Sequence, residues 1–103
     1  MLIIEELSDY IEDEIEDAGK YAKIANEYKE TRPALAELYF KLSNEELGHM
    51  SQLHMQVTAA IEAYKKEHGA PPEHMMKLYE ILHRKHMENA ATVKGMLSLY
   101  KGA

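Results

Sequence analysis

Helix-breaking clusters fall at only two places in this chain before its C-terminal residues: Thr31-Arg32-Pro33 and His68-Gly69-Ala70-Pro71-Pro72. Between them apolar residues recur at steps of three and four, and no segment shows the strict alternation of a half-buried strand. Proline suits the opening turn of a helix, and a Gly-Ala-Pro-Pro run stops one. The chain therefore reads as all-α, with three long antiparallel helices over residues 2–30, 33–67 and 72–100 in a single domain spanning 1–103. At 1.5 Å per residue each helix is roughly 40–55 Å long.

The apolar stripe expected on the first helix is Ile3, Leu7, Tyr10, Ile11, Glu14, Ala18, Tyr21, Ile24 and Tyr28. On the second it is Leu35, Tyr39, Leu42, Glu46, His49, Leu53, Val57, Ala60 and Tyr64, and on the third Met76, Tyr79, His83, His86, Ala90, Val93, Leu97 and Tyr100. Such long helices bury their stripes poorly in a thin three-helix monomer. Antiparallel seams of this kind usually complete a four-helix bundle, here by pairing with a second copy in a homodimer or higher homo-oligomer.

Composition narrows the function. Hydrophobic residues make up 46% of the chain, enough for a core, and five Gly with three Pro are too few for a collagen-like or disordered chain. The absence of Cys excludes a disulfide frame, a thiolate zinc site and a thiol nucleophile. Net charge is −6, and residues 1–19 carry eight acidic side chains and no basic one. That surface repels phosphate, which argues against nucleic acid, and attracts cations. No apolar run approaches the roughly 18 residues of a membrane span. The start, MLIIEELSDYIEDE, lacks the basic residues and cleavage site of a signal peptide, so a cytoplasmic protein is expected.

Two stripes carry charged groups where apolar ones belong. Glu14 sits among Tyr10, Ile11, Ala18 and Tyr21, and Glu46 and His49 lie between Leu42 and Leu53. A buried carboxylate without a partner is costly or becomes protonated, and a divalent metal is one of the few partners that keeps it ionised. In Glu46-Leu-Gly-His49 the i, i+3 spacing projects carboxylate and imidazole to one side of a helix. Reflection about a turn near residues 31–32 places residue 14 opposite about residue 49. Reflection about residue 70 places Ala91–Lys94 opposite the pair, so the third helix supplies no ligand there. One chain then holds half a site. Two chains would supply four carboxylates and two imidazoles, whose charge balances two divalent cations.

Glu14-x6-Tyr21 followed by Glu46-x-x-His49 resembles the ferritin-like superfamily of ferritins and rubrerythrins. The short length and half-site look most like the encapsulated ferritins, which build their centre by dimerisation of two-helix subunits. The similarity covers residues 1–67. It implies a ferritin-like four-helix bundle completed by dimerisation, a di-iron centre (with manganese as the other candidate metal) held by Glu14, Glu46 and His49, and Tyr21 hydrogen-bonding nearby. It also implies a ferroxidase that oxidises Fe(II) with dioxygen for iron storage or detoxification. An encapsulin shell is the partner such proteins have, although the C-terminal SLYKGA shows no clear docking peptide. The third helix is longer than the short C-terminal helix of that family.

Other readings stay open. Chance alone yields about one Glu-x-x-His in a chain with 15 Glu and 6 His, so Glu46 and His49 also read as an intrahelical pair at the core edge. The chain would then be a non-enzymatic helical oligomerisation or adaptor module. A rubrerythrin-like peroxide reductase is the third reading, with electrons supplied from outside. Glu80-x-x-His83 repeats the spacing and is a candidate second metal site, level with Val57–Ala60 and near Glu5 and Glu6. The Met and His residues around positions 74–76 and 83–87 read as core filler rather than copper ligands.

Overall fold

A computed structural model describes residues 2–102, so Met1 and the final Ala103 of the SLYKGA segment lie outside the described residues. The two breaking clusters act as expected. Helix α1 runs Leu2–Tyr28, α2 Pro33–His68 and α3 Glu73–Lys101, with no strand among the described residues. The first helix stops two residues earlier than expected, and residues 29–31 form a turn spanned by a bond from the Arg32 N–H to the Tyr28 carbonyl at 2.8 Å. Pro33 then opens α2, where a missing N–H leaves no helical bond unmade. Gly69 ends α2 at φ 78°, a left-handed value natural to glycine, and its N–H caps the Lys65 carbonyl at 3.0 Å. Pro72 cannot continue a helix but starts the next, its carbonyl accepting from the N–H groups of Met75 and Met76.

Helices α1 and α2 form an antiparallel hairpin built on small residues. Ala18, Ala22 and Ala25 of α1 and Ala36 and Ser43 of α2 have no exposed surface, so the two backbones approach closely. At the tightest point the Ser43 hydroxyl donates to the Ala18 carbonyl at 2.7 Å, a bond that fixes the register of one helix on the other. Helix α3 returns parallel to α1. Val93 lies 3.6 Å from where a side chain on Gly19 would begin, Asn26 donates to the Met96 carbonyl at 3.0 Å, and Lys85 pairs with Glu12 at 2.9 Å. At the far end Tyr100 stacks on Phe40 of α2, with ring centroids 4.8 Å apart, and donates to Glu37.

The core of α1 is Ile4, Ser8, Ile11, Ile15, Ala18, Ala22 and Ala25, a regular four–three repeat. This corrects the expected stripe, of which only Ile11 and Ala18 are buried. The reason is that α1 carries two adjacent apolar stripes offset by one residue. The inner one faces the other helices, while Leu7, Tyr21 and Ile24 of the outer one are half-buried and Tyr10 is 60% exposed. The same holds for α2, where Leu35, Tyr39, Leu42, Leu53, Ala60 and Tyr64 are half-buried. On α3 the expected His86, Ala90, Val93 and Leu97 are buried.

The result is a rod of 56 × 19 × 17 Å that exposes 6757 Å². A compact monomer of 11.8 kDa exposes about 5,900 Å². The excess agrees with a hairpin whose outer stripes lack cover. None of the described helices is long and apolar enough to cross a membrane.

Replacing Ser43 by Ala removes one interhelical hydrogen bond, and urea denaturation is expected to show a loss of about 1 kcal/mol. Ser43→Leu wedges the hairpin apart at the same point, with an expected loss of about 2 kcal/mol or more.

Candidate metal centre

The Ser43–Ala18 bond sets what lies one turn further along each helix. From Ala18 one turn back along α1 is Glu14; from Ser43 one and two turns forward along α2 are Glu46 and His49 or Met50. Met50 turns inward to the core, and His49 turns to the outer stripe beside Glu14. His49 Nδ1 lies 3.4 Å from Glu14 Oε2 and 3.8 Å from Glu46 Oε2. One ligand atom from each of the three lies within 4.8 Å of the others, so Glu14, Glu46 and His49 can hold a metal ion. No other set of three His, Asp or Glu among the described residues converges in this way.

Burial grades across the site. The Glu46 side chain is 19% exposed, Glu14 26% and His49 53%. Yet Glu14 Oε2 is itself fully buried and accepts no hydrogen bond. A carboxylate oxygen removed from water without a donor is a costly arrangement, and a cation bound at the same point removes the cost. Two carboxylates and one imidazole are oxygen and nitrogen donors of the kind that bind divalent metal ions. Three donors also leave coordination positions open. The open side is a groove of ≈ 320 Å³ lined by Glu14, His49, Gln52, Leu53 and Gln56, and no α3 residue reaches it.

Gln52 and Gln56 were not anticipated. They follow His49 by one and two turns, a spacing legible in the sequence, but an amide is so common on helix surfaces that its spacing alone carried no signal. Tyr21 takes a different place from the one the resemblance implies. Its ring packs on Tyr39 with centroids 5.7 Å apart, and its hydroxyl makes no hydrogen bond to Glu14 or Glu46. Glu80 and His83 do not form a second centre among the described residues. Glu80, Glu5 and Glu6 are exposed, while His83 turns inward to stack on His54. A larger groove of ≈ 640 Å³ between α1 and α3 is lined by Asp9, Glu12, Asp13 and Glu16, but no three of these converge. The Lys85 ammonium, hydrogen-bonded to Glu12, holds that carboxyl below its ordinary value.

Comparison with protein-family models, curated proteins and solved structures finds no match to this chain. The reading of the site therefore rests on its residues and geometry.

Saturating Mn(II), at about 100 times its dissociation constant, is expected to stabilise the native chain by about 2.7 kcal/mol. Differential scanning calorimetry reads this as a raised melting temperature, absent in Glu14→Gln and Glu46→Gln. Without metal, His49→Ala is expected to lie within about 0.5 kcal/mol of the native chain, because the ion pairs it loses are half-exposed.

Proposed function

We propose that the chain is a ferritin-like ferroxidase whose centre is completed when a second copy covers the outer face of the α1/α2 hairpin. The observation that carries this reading is the convergence of Glu14, Glu46 and His49, with the Glu14 oxygen buried and without a hydrogen bond, beside the half-buried outer stripes of α1 and α2. Two such faces brought together supply four carboxylates and two imidazoles, the set used by di-iron and di-manganese helix bundles. Four negative charges then balance two Fe(II) ions.

Fe(II) is the substrate. Two Fe(II) each give up one electron, and one dioxygen with two protons becomes hydrogen peroxide, leaving two Fe(III). The residues of this chain do the rest. Glu46 is the bridging candidate, with Glu14 and His49 as terminal ligands, one imidazole for each iron. The acidic first turns of α1 concentrate cations at the surface, since residues 1–19 hold no basic side chain. Leu53 and the half-buried stripe residues exclude water around the pair once the second copy is in place. The direct product points to iron storage or detoxification in the cytoplasm, whether free or within an encapsulin shell.

One observation favours a second reading. His49 stands within ion-pair distance of both carboxylates, an arrangement that a purely structural helical oligomerisation module would also use. The two readings separate on oxidation. Anaerobic Fe(II) titration followed by air is expected to give a fast near-ultraviolet absorbance rise that saturates near one iron per chain. Glu46→Ala is expected to reduce the rate to that of buffer with unchanged helical circular dichroism. Retained oxidation in Glu46→Ala, or a native rate no faster than buffer, would overturn the ferroxidase reading.

A further inference from the structure

A second cluster of titratable side chains lies inside the three-helix body and shares no residue with the Glu14 groove. His54 of α2 and His83 of α3 stack with ring centroids 4.5 Å apart and planes inclined by 25°. Tyr79 lies beside both rings, its centroid 5.6 Å from that of His83 with planes 8° apart and 6.2 Å from that of His54, and its hydroxyl lies 3.1 Å from His54 Nε2. His86, one turn further along α3, is buried in the same cleft. Ile11 and Val57 supply apolar walls, and the free space is ≈ 10 Å³, room for about one water at most. His83 Nδ1 is buried and has no hydrogen-bond partner.

Backbone contact between α2 and α3 is sparse, so this cluster and the Tyr100–Phe40 stack are the principal side-chain bonds between them. We propose that it is an acid-sensitive latch, in which neutral stacked imidazoles fasten α3 to the α1/α2 hairpin and their protonation releases it. Neutral imidazoles stack and share hydrogen bonds. Two imidazolium rings at this separation are like charges with no room for a counterion or a hydration shell.

The surrounding charges do not rescue the protonated form. From α1 the cleft receives the neutral Ser8 hydroxyl and, at its margin, the Glu12 carboxylate. Glu12 favours a charge on His86, but Lys85 of α3 already engages it at 2.9 Å and opposes that charge. From α2 no ionisable group lines the cleft besides His54, and from α3 the others are Tyr79, His83 and His86. Burial therefore holds His54 below its ordinary value, with His83 adding to the effect, and burial does the same at His86 against the pull of Glu12.

The sign follows from linkage. A histidine whose value is lower in the packed state than in the open one binds fewer protons when packed. Packing is fully favoured above about pH 6.5 and weakens as pH falls below it, by up to about tenfold per pH unit for each such histidine. The Lys85–Glu12 pair is unchanged over that interval.

Hydrogen exchange of the α3 amides at pH 7.5 and 5.5, corrected for the intrinsic rate, tests the latch. Protection across residues 82–97 is expected to fall at least about tenfold in the native chain. The double variant His54→Gln, His83→Phe keeps a partner for Tyr79 and a flat ring in the stack while removing both stacked imidazoles. Its loss of protection is expected to be at most a third as large. Undiminished protection at pH 5.5, or an equal loss in the variant, would overturn the proposal. Imidazole titration by NMR in the unmodified chain gives a second reading that needs no variant. His54 and His86 are expected to titrate below the ordinary histidine value, over the interval in which α3 loses protection; titration at or above that value also overturns it.

Discussion

The close approach of α1 and α2 governs everything else in this molecule. Alanines at positions 18, 22, 25 and 36 leave no side-chain bulk between the two backbones, and the Ser43 hydroxyl reaches the Ala18 carbonyl at 2.7 Å. A slip of one residue along either helix would break that bond and rotate the partner's face by about 100°. With the register held, Glu14 has to meet His49, and Tyr21 has to meet Tyr39. The candidate metal-binding group is thus a consequence of a packing decision made one turn away from it.

The same small residues explain the open face. Alanine contacts bring helices close but bury little apolar area per residue, so several larger side chains of both helices, Leu7, Tyr21, Ile24, Tyr39, Leu42 and Leu53 among them, stay on the outer stripes. There they are half-buried, Leu7 and Leu53 partly against the core and Tyr21 against Tyr39. Helix α3 packs on the opposite side, through Gly19, Asn26 and the Lys85–Glu12 pair, and so does not relieve them. The proposed second copy answers two deficits at once, the uncovered stripes and the three-donor metal set. The interior histidine cluster belongs to the other side of α1 and governs whether α3 stays packed, independently of the outer face.

Much of this was legible in the sequence, for identifiable reasons. Pro33 and the Gly69–Pro72 run are unambiguous breakers, so the helix boundaries fall within two residues of expectation. Reflection about the first turn put residue 14 opposite residue 49, which the structure bears out at 3.4 Å. The stripe of α1 was less legible. Ile3 and Ile4, Leu7 and Ser8, Tyr10 and Ile11 are adjacent pairs, and periodicity alone does not say which member faces the core. The larger residues drew attention to the outer stripe, whereas Ser8, Ala22 and Ala25, small enough for close packing, are the buried ones. The place of His83 was half legible, since the sequence puts it on the apolar stripe of α3 while leaving a ligand pair with Glu80 open. Its stacking on His54 is set by how α3 rotates against α2, which no local pattern encodes.

Sedimentation equilibrium of the chain under anaerobic conditions, with and without Fe(II), tests most directly whether a second copy completes the centre. The expected result is a particle of at least twice 11.8 kDa that binds one iron per chain and dissociates more readily when Glu14 and Glu46 are both replaced by Gln. A stable monomer that binds one iron by itself would contradict a shared centre.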